Sequence, residues 1–237
     1  DEKKTTVMDG HGGYMNGSRY YGEDLPINTW YMKRFAGLSE DGLSLWYYTD
    51  KETNEEKTTT TYSTGDFYLC GDPNPDLYGG FGTSITFHGF DLSTQFSYLV
   101  GGLTYDYGYA GMMGNPTATS VGNRWHKDVL KAWSPENPSS TIPRWYFNDL
   151  NTTGSSDRFL IDGSYLNLQN IQVGYTLPDS WTSHLKIKNL RLYFVCDNVY
   201  YWSKRKGLDP RRSISGVGTS GKIAPFRTYS GGISLQF

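Results

Sequence analysis

Long hydrophobic runs are missing from this 237-residue chain. The longest uninterrupted apolar stretch is Leu192–Cys196, far short of the ~18–20 residues that a membrane-spanning helix needs. Charge is scarce as well. Asp, Glu, Lys and Arg make up 19% of the residues and the formal net charge is −2, which gives no global basic field for nucleic acid. Cysteine is limited to Cys70 in a polar loop and Cys196 in a strand pattern, which leaves one disulfide open but provides no disulfide framework. Catalytic and metal signatures are equally thin. His11, His88, His126 and His184 each lack a second ligand at metal spacing. Asp72-Pro73-Asn74-Pro75-Asp76 begins like a calcium loop but has Leu77 where the turn glycine belongs and Thr83 where the bidentate acid belongs. Gly216-Val217-Gly218-Thr219-Ser220-Gly221 spells a dinucleotide fingerprint, yet Pro225 blocks the helix that the fingerprint must open. No nucleophile elbow or paired acids stand out, so neither catalysis nor a cofactor is expected.

Aromatics and turn formers are abundant. Phe, Trp and Tyr reach 16%, with 20 Tyr, 28 Gly and 10 Pro, a profile for many short strands joined by turns. Strict alternation supplies the strands. In 227–237, Tyr229, Gly231, Ile233, Leu235 and Phe237 share one parity, and Thr228, Ser230, Gly232, Ser234 and Gln236 share the other. In 187–201, Leu190, Leu192, Phe194 and Cys196 oppose Arg191, Tyr193 and Asp197. Residues 158–177 read as one long strand whose apolar parity slips from Leu166 and Leu168 to Ile171, Val173, Tyr175 and Leu177, predicting a β-bulge near Gln169–Asn170. Residues 79–104 read as a hairpin, with Phe81, Ile85 and Phe87 on one strand and Leu92, Phe96, Tyr98 and Val100 on its partner, turning at His88-Gly89-Phe90-Asp91. A sixth strand is placed at 27–36, and a brief helix at Arg124–Trp133.

The polar faces of these strands hold Ser, Thr, Gln and Gly in place of Lys and Glu, for example Ser84 and Thr86, then Ser93, Gln95 and Ser97. That is the habit of a transmembrane barrel, apolar toward lipid and polar toward its lumen. A soluble or surface-exposed glycan-binding β-sandwich is the alternative. Connections 37–78, 105–157 and 203–226 are long, and long loops of this kind usually carry function.

Ser230-Gly231-Gly232-Ile233-Ser234-Leu235-Gln236-Phe237 resembles the terminal-strand signal of bacterial outer-membrane proteins, with Ser230, Gly232, Leu235 and Phe237 at its key positions. Further motifs lie upstream. Ser156-Asp157-Arg158-Phe159-Leu160-Ile161-Asp162-Gly163-Ser164-Tyr165-Leu166-Asn167-Leu168-Gln169-Asn170-Ile171 continues into Val173-Gly174-Tyr175-Thr176-Leu177-Pro178. Asn189-Leu190-Arg191-Leu192-Tyr193, Asp197-Asn198 and Lys206-Gly207-Leu208-Asp209-Pro210 follow in order. With Tyr78-Gly79-Gly80-Phe81, Gly89-Phe90-Asp91-Leu92-Ser93 and Trp133-Ser134-Pro135-Glu136-Asn137-Pro138, the chain resembles the SusC/RagA-like family of TonB-dependent outer-membrane transporters. The match covers nearly the whole chain and is weak before residue 25.

The resemblance implies an all-β antiparallel transmembrane β-barrel segment, about six strands of a roughly 22-stranded barrel with long extracellular loops. It implies that 1–237 is the C-terminal part of the barrel, with an N-terminal plug and TonB box belonging to the rest of the same protein. The implied function is uptake of oligosaccharides or oligopeptides across the outer membrane of a Gram-negative bacterium. TonB energises that uptake, and a SusD-like surface lipoprotein closes over the mouth. The lipid-facing set is then Phe81, Ile85, Phe87, Leu92, Phe96, Tyr98, Ile171, Val173, Tyr175, Leu190, Leu192, Phe194 and Ile233. Trp125, Trp133, Trp145 and Tyr146 are candidates for outer-loop contact with a partner or substrate, and Tyr201 and Trp202 for the aromatic girdle.

Overall fold

The structure is a computed structural model that describes residues 6–8, 11–118, 122, 124–152, 154–182, 184, 186–212, 215–217 and 225–237. In chain order the strands are β1 (Thr6–Met8), β2 (His11–Asn16), β3 (Arg19–Gly22), β4 (Thr29–Lys33), β5 (Phe35–Leu38), β6 (Ser44–Thr49), β7 (Glu56–Thr59) and β8 (Phe67–Leu69). They continue with β9 (Leu77–Phe87), β10 (Phe90–Val100), β11 (Leu103–Tyr105), β12 (Leu160–Asp162), β13 (Tyr165–Thr176), β14 (Asn189–Ser203) and β15 (Thr228–Gln236). Among the described residues there are also two short helices, α1 (Tyr107–Met112) and α2 (Asp179–Thr182), and a few 3-10 turns. These elements fall into two compact units, one from the described residues of 1–74, 102–162 and 212–221, the other from those of 75–101, 163–211 and 222–237.

The second unit is an antiparallel sheet ordered β15-β14-β13-β10-β9. Alternating aromatic, β-branched and small polar residues favour such strands because each pleat presents one row to each face. β9 and β10 are joined through His88 and Gly89, whose φ angles of 48° and 84° match a two-residue turn of the twist that hairpins prefer. Gly89 is further constrained, since a Cβ there would stand 2.7 Å from the carbonyl oxygen of Thr176. Against β10, Gln95 pairs with Asn170 and Phe96 with Leu168, leaving Gln169 as the extra residue of a bulge, and the β13–β14 register shifts at the same point. The alternation slip anticipated that bulge.

The hairpin turn, the β13–β14 connection and the end of β15 share one end of this sheet, because Phe87 pairs with Phe90, Thr176 with Arg191, and Asn189 with Gln236. The connections 101–164 and 204–227 both leave from the opposite end, where β9 also begins.

The first unit is built around β4, every residue of which is buried. Trp30 and Met32 form its core with Tyr105, Met113 and Phe159, and the Trp30 indole donates to the carbonyl of Leu103 at 3.1 Å. Its strands form a β1-β2-β3-β4-β8 sheet, a β5-β6-β7 sheet and a β11-β12 pair. Cations are buried against rings here. The Arg19 guanidinium lies 3.1 Å from the centroid of Trp30, and the Lys33 ammonium lies 4.5 Å from that of Tyr62 while donating to the carbonyls of Tyr62 and Ser63. Burial lowers the pKa of Arg19 to about 10 and that of Lys33 below the usual lysine range.

Several expectations are corrected. Among the described residues the sheet holds five strands, not six, because 27–36 becomes β4 and β5 in other sheets. With all of β4 buried, that segment makes a core rather than a one-sided wall. Residues 158–177 do not form one strand. A 3-10 turn at Asp157–Phe159 leads into β12, and Gly163–Ser164 separates β12 from β13. The connection 37–78 carries strands of its own, and the expected helix at 124–133 is a 3-10 turn over Lys127–Lys131. Cys70 and Cys196 are free thiols.

Candidate functional site: a two-faced sheet and its long connections

Register turns the strand patterns into continuous rows. Phe87, Phe90, Tyr175, Leu192 and Ile233 lie side by side across all five strands, and Ile85, Leu92, Val173, Phe194 and Gly231 form the next row. Thr94, Ile171, Cys196 and Tyr229 follow, then Phe81, Phe96, Leu168 and Tyr200, then Tyr98, Leu166 and Trp202. Every residue of the apolar set read from the sequence falls in these rows except Leu190, which pairs with Leu235 one step nearer the short turns. The face is uncovered, with Phe81, Ile85 and Phe87 exposed by 54, 56 and 68%. The rings of Phe81 and Phe96 stack at 4.8 Å.

The opposite face is polar and internally bonded. Asp91 accepts two bonds from Arg191, at 2.9 Å from Nε and 2.6 Å from Nη2. Asn170 donates to Asp197 at 2.7 Å and Asn167 to Ser97 at 3.3 Å. Near the long-connection end, Arg211 donates to both carboxylate oxygens of Asp209 at 2.8 Å, to Asn198 at 2.9 Å and to Asn167 at 2.5 Å, and its guanidinium lies 4.4 Å from the centroid of Tyr201. Asn198, with a φ of 54°, also donates to the carbonyls of Pro225 and Phe226. Asp197-Asn198 and Leu208-Asp209-Pro210 thus meet around one guanidinium. Both stretches are among the motifs that carry the family resemblance, whereas Arg211 is not among the residues named from the sequence.

Tyr201 is a correction to the girdle expectation. It pairs with Asn167 on the polar face, while Tyr200 and Trp202 take the apolar one. Their rings meet edge to face at 4.8 Å.

In the first unit, Trp125 and Trp145 pack edge to face at 5.6 Å, and both indoles donate to the carbonyl of Gly114, at 3.1 and 3.3 Å. Trp133 lies against Gly42, whose φ is +73° and where a Cβ would stand 2.3 Å from the indole. With Phe35, Leu38, Ser39, Pro138 and Thr141 it lines a recess of about 400 Å³. Tyr146 is largely exposed, with the Arg144 guanidinium 5.3 Å from its ring centroid. Phe147 and Leu150, also exposed, extend this patch beyond the residues nominated from sequence. The consecutive aromatics Trp145-Tyr146-Phe147 are the signal that could have found it.

Asp72 uses its carboxylate to accept from the backbone N–H of Asn74 at 2.8 Å, a local turn. Among the described residues, no three His, Cys, Asp or Glu groups come together as a metal site. In the glycine-rich 216–221 stretch, 218–221 lie outside the described residues. Gly216 has a φ of 68°, and a Cβ there would lie 2.4 Å from the carbonyl oxygen of Leu103.

No protein-family model matches the chain. It is similar to TonB-dependent receptor P3 of Formosa agariphila, at 29% identity over 95% of this chain and 22% of the relative. It is also similar to TonB-dependent receptor SusC of Bacteroides thetaiotaomicron, at 27% identity over 75% of this chain and 17% of that protein. Among solved structures, the RagAB peptide transporter matches with a TM-score of 0.72 and 25% identity over 88% of this chain and 23% of its own. The RagAB peptide importer in its open-open state matches with a TM-score of 0.73 and 26% identity over 98% of this chain and 25% of its own. The chain spans a quarter or less of the length of these proteins.

Proposed function

We propose that this chain, whose sequence and fold are those of a barrel segment of a SusC/RagA-like TonB-dependent outer-membrane transporter, contributes wall, lumen surface and outer segments to an importer of oligosaccharides or oligopeptides. The observation that carries this reading is the pair of faces. One is apolar row after row and uncovered, and the other holds a bonded network of Asp, Asn, Arg and Ser. Placed in a bilayer, the first meets hydrocarbon and the second lines a wet interior, while strand pairing satisfies the backbone. On this reading 1–237 is the C-terminal part of a longer polypeptide. Its short turns face the periplasm and its long connections face outward.

The relatives named are receptors and transporters, and SusC and RagAB are the reason to add two partners to the proposal. A SusD-like lipoprotein would cover the mouth against the exposed Trp145, Tyr146, Phe147 and Leu150. TonB would act on the plug carried by the rest of the protein. Substrate is moved without breaking a bond, so the residues here bind, line and position.

The test is purification of the intact polypeptide. Extraction only with detergent, a compact species in unheated SDS gels, and recovery of a surface lipoprotein are expected. A protein that stays monomeric in plain buffer would instead support the soluble sandwich.

A further inference from the structure

The apolar face ends in a shallow groove where the long connections leave, and its composition changes there. Tyr98, Leu166 and Trp202 form the last apolar row, and Val100, Ser164 and Lys204 stand beyond them in the same groove of about 460 Å³. Lys204 opens the run Lys204-Arg205-Lys206. The turn carrying that run is fixed, since the Ser203 hydroxyl bonds the carbonyls of Arg205 at 3.0 Å and Leu208 at 3.2 Å, and Leu208 is buried. Trp202 and Lys204 are both exposed. An apolar groove with Lys204 at its rim, the first of three consecutive basic residues, matches a lipid in two respects: the groove suits a hydrocarbon tail, and the basic rim suits a phosphate head.

We propose that this groove binds a phosphate-bearing lipid of the outer leaflet, its acyl chain against Tyr98, Leu166 and Trp202 and its phosphate at Lys204 and Lys206. The inference rests on the outer-membrane reading above, which sets the long-connection end of the sheet at the outer leaflet. Aromatic rings sit at the interface depth of a barrel, and a lysine just above them keeps its stem on the apolar surface while its ammonium reaches the headgroups. Around 1 kcal/mol of attraction per basic residue corresponds to roughly tenfold or more for this pair at a lipid phosphate.

The test uses the intact polypeptide in non-ionic detergent, titrated with diphosphoryl lipid A and, in parallel, with its dephosphorylated form, and read by native mass spectrometry. The phosphorylated lipid should form adducts at about tenfold lower concentration. Lys204→Glu combined with Lys206→Glu should abolish that preference, and Trp202→Ala should weaken both lipids alike. Unheated gel mobility reports whether each variant has folded, and Lys204→Gln with Lys206→Gln supplies a milder pair with the same expected loss. Equal binding of the two lipids, or an unchanged preference in the charge variants, overturns the site. Displacement of the lipid by millimolar inorganic phosphate alone overturns it too, since the cations would then serve a free anion. A protein that needs no detergent refutes the outer-membrane reading itself, whereas a detergent-dependent protein without lipid preference refutes only the groove.

Discussion

Asp91 and Arg191, 100 residues apart in sequence, meet over Gly174, where any Cβ would stand 2.4 Å from the Asp91 carboxylate and 2.5 Å from the Arg191 guanidinium. The glycine makes room for the pair. Both side chains are about a quarter exposed, so the two bonds together contribute about 1 kcal/mol. Arg191→Ala and Gly174→Ala should each lower barrel stability by about that much in urea unfolding, and the double variant should lose little more. Additive losses would separate the glycine from the ion pair.

Depth along the apolar rows should grade the cost of charge. Phe194→Arg and Phe96→Arg, flanking the middle row of Thr94, Ile171 and Cys196, should cost roughly 2–4 kcal/mol, and Leu190→Arg near the short turns only about 0–1 kcal/mol. Folding titrations into lipid vesicles measure the difference. A flat profile would mean that the rows do not cross a bilayer.

Deleting Phe237 should reduce the amount of assembled barrel in outer-membrane fractions. The side chain is 72% exposed, so its loss leaves no cavity, and any fall in yield reports recognition during assembly. Unchanged yield would show that Ser230, Gly232, Leu235 and Phe237 are an ordinary strand end.

Gly42→Ala should mimic Trp133→Ala. Its positive φ costs an alanine about 1–2 kcal/mol, and the new methyl would strike the indole. Both variants should weaken recovery of the proposed lipoprotein partner in pull-downs. Gly111→Ala, whose methyl meets open space in α1, should leave recovery unchanged.

Cys70 should be slow to alkylate. Burial pushes its pKa up to about 11, and the thiolate is the reactive form. At pH 8 its rate should be about two orders of magnitude below that of an ordinary cysteine with a pKa near 8.5. Because deprotonation lies above the working range, the rate should climb about tenfold per pH unit until about pH 11. A rate that levels off near pH 8.5 would show that the thiol is not desolvated.

The sheet was legible in sequence because alternation is local. Leu190, Leu192 and Phe194 declare their face without knowing their neighbours, and even the bulge at Gln169 showed as a slip in parity. The first unit was not legible, because its core joins β4 to Tyr105, Met113 and Phe159 over long sequence separations, and a strand buried on both faces gives no alternation to read. Aromatic candidates were found by type, but type cannot say which face holds them. Trp202 kept its expected side, whereas Tyr201 was claimed by Arg211. Nor could spacing show that Gly42 backs Trp133.

β9 and β15 are the outermost strands of the five, and each presents one flank with no strand beside it among the described residues. Those flanks, eleven and nine residues long, are templates for whatever extended backbone arrives first. Expressed alone in water, this stretch of polypeptide would recruit copies of itself into fibrils or clumps. Handling it therefore calls for a bilayer and a companion strand at each side.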